Sequence, residues 1–454
     1  LSKRITVIGG GPAGYVAAIR AAQLGAEATV IEPVALGGVC TNVGCIPTKT
    51  YYHFAEILHD IEKAQKEGVI SGEFATDWRR MMVKKDRIVA RLVKGIEYLL
   101  KKNEVRFLSG TGRIIEPGKV EVAGADGKTQ TVESDYILIA TGSEPMDLPI
   151  DGWEGANVWT NTELLGTERM PESLLIIGGG IIGCEFAHIL ASFGCKATIV
   201  EIMETILPGM DPDVIEAVTK ALAKEGVSIR TGAAVKNIER TSDGIIAKTD
   251  DEIFEAEEIL GAVGRRPTPP EGSDKLLNLL KNGAVAVDNF MSAGEQIWAA
   301  GDVTGAPYLA HRASAMGEAA IENMLGAKNE LNNNAIPGAF FTALEVGTVG
   351  LTETDAKNRF GSVSVGKFPY RASGRAHTAS SPDGFVKVIA VPEGHIVGIH
   401  IAGKEASEML SAAALTVARR LSIDDWRETV VAHPTFGEML RESALDTEDN
   451  AIHI

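Results

Sequence analysis

The sequence predicts an α/β chain: two Rossmann-like units followed by a C-terminal α+β unit of different character. Three observations carry this. Gly9-x-Gly11-x-x-Gly14 and Gly178-x-Gly180-x-x-Gly183 repeat one glycine pattern, each between an apolar run and a helix-forming stretch. In both copies a glutamate, Glu32 or Glu201, closes a second apolar run 18 residues after the last glycine. From Ala339 onward the pattern is absent, and stretches such as Phe385 to Val391 and Ile396 to Ile401 read as an antiparallel sheet.

In the first unit, Ile5-Thr6-Val7-Ile8 is the apolar run of a buried parallel strand. The three glycines then have separate tasks. Gly9 permits a tight turn, Gly11 lets the backbone approach a pyrophosphate, and Gly14 lets the helix pack on the strand. Ala28 to Ile31 is the second strand, and Glu32 is placed to accept ribose hydroxyls. In the second unit Leu174 to Ile177 and Ala197 to Val200 are the strands. Glu201 accepts a ribose 2′-OH and repels a 2′-phosphate, and Ile202-Met203-Glu204-Thr205 brings no arginine, so NAD is expected over NADP.

Between Glu32 and the next helix lies Gly37-Gly38-Val39-Cys40-Thr41-Asn42-Val43-Gly44-Cys45-Ile46-Pro47-Thr48-Lys49, with two of the four cysteines. Residues i and i+5 of a regular helix stand roughly 8.6 Å apart, beyond the roughly 7 Å Cα limit of a disulfide. Gly37, Gly38 and Gly44 relax the backbone where a bend is needed, and Cys45 would open a helix whose N-terminus favours thiolate. The stretch reads as a strained, reducible disulfide; the alternative is a pair of packing thiols. Cys184 and Cys195 flank one helix without a motif and read as packing residues.

Further strands are expected at Tyr136 to Ala140, ending in Thr141-Gly142-Ser143, around Val235, and at Ile297 to Ala300, ending in Gly301-Asp302. Tyr308-Leu309-Ala310-His311 leads into an Ala-rich helix. Near the C-terminus, His433 precedes Glu438 by five residues; a carboxylate partner would suit an acid–base histidine, although a lone histidine is more often structural. No metal site is read from the sequence. The net charge of −17 argues against nucleic acid and anionic membranes as partners. Four cysteines in 454 residues and no leader ahead of Ile5 suggest a cytoplasmic protein or a processed organellar form.

Taken together, the motifs resemble the pyridine nucleotide–disulfide oxidoreductases, and most of all their dihydrolipoamide dehydrogenase branch. The resemblance rests on Gly9 to Gly14, Gly37 to Lys49, Ala140 to Ser143, Gly178 to Glu185, Val263-Gly264-Arg265-Arg266-Pro267, Gly301-Asp302, and Ala432-His433-Pro434-Thr435 with Glu438. It implies an FAD-binding domain in two parts, 1–147 and 271–330, an NAD-binding domain at 148–270, and a dimerisation domain at 331–454. Glu32, Gly38, Lys49, Gly112, Thr141, Gly142, Ser143, Asp302 and the segment Leu309-Ala310-His311 would hold FAD. Gly180, Gly183, Glu185, Glu201, Val235 and Gly264 would line the NAD site, with Lys49 paired to Glu185.

By the same resemblance, Cys45 would face the flavin and Cys40 would exchange with substrate. His433 and Glu438 would reach the disulfide of a partner subunit, making an obligate homodimer. The implied reaction is oxidation of dihydrolipoamide, borne by a lipoyl carrier protein of a 2-oxo acid dehydrogenase or glycine cleavage complex. Thr48, Tyr51, Tyr52, Met316 and Phe436 depart from the family pattern, and the Tyr pair and Phe436 raise the question of an altered substrate channel. Rival readings are a glutathione-type reductase, a mercuric reductase, for which a C-terminal cysteine pair is missing, and a flavoprotein NADH oxidase without disulfide chemistry.

Overall fold

The computed structural model describes residues 2–454. The strand Arg4–Ile8 is buried along its apolar run, as a central strand covered on both faces must be. It lies in a six-stranded sheet ordered Ser292–Gly294, Ile297–Ala299, Tyr136–Ile139, Arg4–Ile8, Glu27–Glu32, Arg106–Ser109. Every neighbouring pair is parallel except the one made by the edge strand Ser292–Gly294. The helix Pro12–Gln23 covers this sheet and packs on the helix Ala310–Met324. Small residues make that contact: Ala13, Ala17 and Ala21 are buried, and a Cβ on Gly317 would fall 2.5 Å from the Ala13 carbonyl oxygen.

A second sheet, ordered Ser228–Arg230, Lys196–Val200, Ser173–Ile177, Glu258–Gly261, is wholly parallel. The two units share their turn geometry. Gly9 and Gly178 sit at φ +110° and +106°, which L side chains rarely adopt. A Cβ on Gly14 or Gly183 would lie 1.9 or 2.1 Å from the carbonyl oxygen of the first glycine. The helix therefore starts against the end of its strand in both copies. Val235, expected in a strand, instead lies in the loop between Ser228–Arg230 and Asn237–Thr241; no neighbouring strand pairs with it, and it is buried as a wall residue.

The C-terminal unit is a five-stranded antiparallel sheet, ordered Gly338–Phe341, Glu345–Gly350, Ile396–Ala402, Phe385–Ala390, Ser364–Pro369. Helices Ala406–Arg419 and Glu438–Asp446 pack on it. The fold class is thus the one predicted. Among the described residues no helix is long and apolar enough to cross a membrane.

A buried ion cluster joins the C-terminal sheet to the second unit. Lys387, in the strand Phe385–Ala390, places Nζ 2.9 Å from Asp211 Oδ1, 2.7 Å from Asp213 Oδ2 and 2.6 Å from Glu353 Oε2, and its side chain is only 2% exposed. Asp211 also caps the helix Pro212–Lys224 by accepting from the Asp213 N–H. Removing one partner of a buried ionic set leaves uncompensated charge, so Lys387→Met is expected to lower unfolding free energy by about 3–5 kcal/mol in denaturant titrations.

Candidate active site

The cysteine stretch folds as two helices rather than one. Gly37, at φ +91°, starts the short helix Gly38–Val43; Gly44 breaks it at φ −140°, ψ −112°; Cys45 opens the long helix Cys45–Lys66. The break brings Cys40, inside the first helix, beside Cys45 at the head of the second, which a continuous helix would prevent. Both are free thiols in this structure. They are not equivalent. The Cys40 thiol is held well above its ordinary range, first by its hydrogen bond to Cys45 and then by burial. Cys45 is brought down to about 7, first by accepting that hydrogen bond; burial opposes this, the Lys49 ammonium assists it, and Glu185 opposes it. One thiolate, on Cys45, is the favoured charged state.

Lys49 sits one turn further along the same helix. Its Nζ lies 2.7 and 2.9 Å from the two carboxylate oxygens of Glu185, in the second unit's helix Ile181–Ser192. Glu185 Oε1 also accepts the N–H of Phe341, at 2.9 Å, from the first strand of the C-terminal sheet. The Phe341 ring takes the Lys49 ammonium 4.9 Å from its centroid. Phe341 was not foreseen, since nothing in the local sequence links residue 341 to residue 185.

These groups open on one continuous cavity of about 1350 Å³. It is lined by Gly11, Glu32, Gly38, Cys40, Cys45, Lys49, Thr141, Gly142, Ser143, Asp302, Leu309, Ala310 and His311 on the first unit's side, with Gly301 beside them. On the second unit's side it is lined by Gly178, Gly180, Glu185, Glu201, Val235 and Gly264. Gly9, Gly14 and Gly183 stand behind the turns instead. Gly112 also lies outside the lining, because it packs against the first strand: a Cβ there would meet Ile8 Cγ2 at 2.9 Å.

The two acidic strand ends match. Glu32 accepts the N–H groups of Gly10 and Val34 at 2.8 and 2.9 Å, and Glu201 those of Gly179 and Met203 at 2.6 and 2.8 Å. Each carboxylate is held by backbone yet keeps lone pairs for a hydroxyl. Asp302 Oδ2 accepts from Ser143 Oγ at 2.7 Å, and Arg265 donates to that Oγ at 2.8 Å and to the Ser143 carbonyl at 2.6 Å. Arg265 belongs to the Val263–Pro267 motif, and in the fold it ties the second unit to the Ser143–Asp302 wall.

Most of the departures from the family pattern lie in the core. Tyr51 stacks on Trp78 with centroids 4.8 Å apart, Tyr52 packs edge-on to Phe341, and Phe436 packs on Tyr370; all three are buried, as is Met316. None of them lines the cavity, whereas Thr48 does. His433 and Glu438 stand apart from the cavity as well. His433 Nδ1 is 2.9 Å from Glu438 Oε1, the other oxygen accepts the Thr435 N–H at 2.8 Å, and the histidine side chain is 78% exposed.

The cavity fits two dinucleotides. A Cβ on Gly180 would meet nothing within 4 Å, and one on Gly11 only Gly38 Cα at 3.8 Å, so both turns face open space at helix N-termini. The volume also exceeds the roughly 300–1,000 Å³ of ordinary single-ligand pockets.

The pyridine nucleotide-disulphide oxidoreductase profile matches residues 3–317, and the dimerisation domain of the same family matches residues 336–444. The chain belongs to this family. It is similar to a dihydrolipoyl dehydrogenase of Zymomonas mobilis, 38% identical over 463 residues that span 99% of this chain and 98% of that one. It is likewise similar to dihydrolipoyl dehydrogenase 2 of Haloarcula marismortui, 37% identical over 460 residues spanning 99% and 97%. Among solved structures, LpdA from Mycobacterium tuberculosis superposes with a TM-score of 0.91 at 26% identity, over 97% of this chain and 99% of that one. The HOCl-induced flavoprotein disulfide reductase RclA of Escherichia coli superposes with a TM-score of 0.87, also at 26% identity, over 97% and 99%. The protein is therefore an oxidoreductase and a flavoprotein whose cofactors are FAD and NAD(H).

The asymmetry of the thiols is open to measurement. In the reduced holoenzyme, the ultraviolet thiolate absorbance should titrate as one group with a midpoint near 7. Lys49→Met removes the cation that favours the charged sulfur and leaves Glu185 unneutralised, so the midpoint should move upward.

Proposed function

We propose that this enzyme oxidises a dihydrolipoyl group, carried on a partner protein, and passes the electrons to NAD+. The observation that carries the reading is the separation of its parts. The thiol pair lies in one wall of the cavity, while the His433–Glu438 dyad is exposed on the dimerisation domain. In a homodimer the dyad of one subunit completes the thiol site of the other.

The chemistry of the chain's own residues then runs as thiol–disulfide exchange. With the Cys40–Cys45 disulfide closed, His433 takes the proton of one substrate thiol, and Glu438 holds the imidazole by Nδ1 and stabilises its charge. The substrate thiolate attacks Cys40 Sγ, forming a mixed disulfide and releasing Cys45 as thiolate, the charge that Lys49 and the Cys40 hydrogen bond favour. The second substrate thiol attacks the first sulfur and displaces the Cys40 sulfur, which takes up that thiol's proton while His433 keeps the first one. The substrate leaves as the cyclic disulfide, and two electrons and two protons stay with the enzyme. Bound FAD and NAD+ supply the two-electron acceptor and the final hydride acceptor. Lys49, Glu32 and the Ser143–Asp302 wall would hold the flavin nucleotide, and Gly180 and Glu201 the nicotinamide nucleotide.

Support for NAD over NADP comes from Glu201. Its carboxylate is buried, and Ile202, Met203 and Glu204 bring no cation to offset it against a 2′-phosphate. The lipoyl substrate is supported by the dihydrolipoyl dehydrogenases matched along the whole chain, and by core burial of Tyr51, Tyr52 and Phe436. The carrier would be the lipoyl domain of a 2-oxo acid dehydrogenase or glycine cleavage complex.

Two assays test the reading. Anaerobic reduction of the flavin by NADH should exceed that by NADPH by at least about 100-fold in kcat/KM, the effect of a like-charge contact of several kcal/mol. Dihydrolipoamide should turn over where glutathione disulfide does not; NADPH-driven reduction of glutathione disulfide would instead mark a reductase. Separately, His433→Ala should lower lipoamide turnover by roughly 10²–10⁴-fold, the usual worth of a general base. NADH-to-dye reduction should survive in that variant, because it bypasses the disulfide step.

A further inference from the structure

Further along the same two helices that carry Lys49 and Glu185 is a cluster the redox chemistry does not use. His59 belongs to the helix Cys45–Lys66 and His188 to the helix Ile181–Ser192; their rings stack 5.6 Å apart with planes 15° from parallel. Glu225, at the C-terminal end of the helix Pro212–Lys224, reaches both. Its Oε2 is 2.7 Å from His188 Nδ1, and its Oε1 is 3.2 Å from His59 Nε2. Ser192 Oγ stands 3.0 Å from the same His59 nitrogen. One ligating atom from each of His59, His188 and Glu225 falls within 4.8 Å of the other two.

The donor set favours a metal ion here over a plain hydrogen-bonded trio. His188 is 2% exposed, and the ring nitrogen it turns to Glu225 is Nδ1. Two imidazoles with one carboxylate form a borderline donor set that suits zinc and its neighbours rather than calcium or magnesium. With zinc–ligand bonds of about 2.0–2.1 Å, ligand atoms on a tetrahedral ion stand roughly 3.3 Å apart. The observed 2.7 and 3.2 Å therefore require only small side-chain adjustments.

We propose that His59, His188 and Glu225 bind one zinc-class divalent cation, with water or Ser192 in the fourth position. The site lies outside the dinucleotide cavity, and none of its three residues lines that cavity. Its ligands come from both dinucleotide-binding units, so the metal is a second tie between the helices already joined by Lys49 and Glu185.

The test uses the oxidised, flavin-loaded enzyme, in which the closed Cys40–Cys45 disulfide offers no thiolate to the metal. Chelator-stripped protein is dialysed against zinc chloride, its zinc content measured, and its Tm followed. One zinc per chain and a raised Tm are expected. His59→Ala and the near-isosteric Glu225→Gln should each weaken binding by more than about 100-fold, at least the loss seen on disturbing a metal site's outer shell. Both should keep the flavin spectrum and NADH-to-dye activity. Absence of retained zinc, or equal retention by wild type and a folded variant, would overturn the proposal; the second result would place the metal on other side chains such as His453.

Discussion

The Lys49–Glu185 ion pair is the contact on which the arrangement of the site depends. Glu185 is almost wholly buried, and a buried carboxylate persists as an anion only where a cation and hydrogen-bond donors surround it. Lys49 supplies the cation from the helix that begins at Cys45, and Phe341 supplies a donor from the C-terminal sheet. One carboxylate thereby brings all three parts of the chain to a single point. The same ammonium lies close enough to Cys45 to favour its thiolate. Position and electrostatics are set by one group.

The two dinucleotide-binding units show how a repeated backbone demand yields a repeated sequence. In each, the first glycine holds a positive φ against the end of the neighbouring parallel strand, and the third leaves no room for a Cβ against the first one's carbonyl. The middle glycine is under neither constraint, and its free side opens on the cavity. The glutamate at the end of the second strand returns to accept the N–H between the first two glycines, so turn and carboxylate hold one another in place.

Acid–base and redox parts are kept on different surfaces of the chain. The thiol pair lines the cavity, and His433 stands in solvent with Glu438 holding its ring. The buried Lys387 cluster bears on this separation, because it joins the C-terminal sheet to the second unit through Asp211 and Asp213. It fixes the orientation in which the dimerisation domain presents the dyad relative to the cavity.

Both fingerprints, the Cys-x4-Cys stretch, the acidic strand ends and the alternating C-terminal strands were legible in the sequence, and many of the residues read from them line one cavity. The common reason is locality: turn conformation, helix starts and strand ends are decided by residues within about twenty positions of one another, and their spacing records that. Gly112 and Val235 were placed less well, since one belongs to packing beneath the strand and the other to an unpaired loop wall. Contacts spanning over a hundred positions left no such record. Phe341 on Glu185, Arg265 on Ser143, Lys387 on Asp211 and Asp213, and His59 with His188 and Glu225 are ordinary residues in ordinary local patterns. Only the packing of the three units against one another gives them partners, because burial removes water and leaves each polar group to be satisfied by whatever side chain the fold brings within reach.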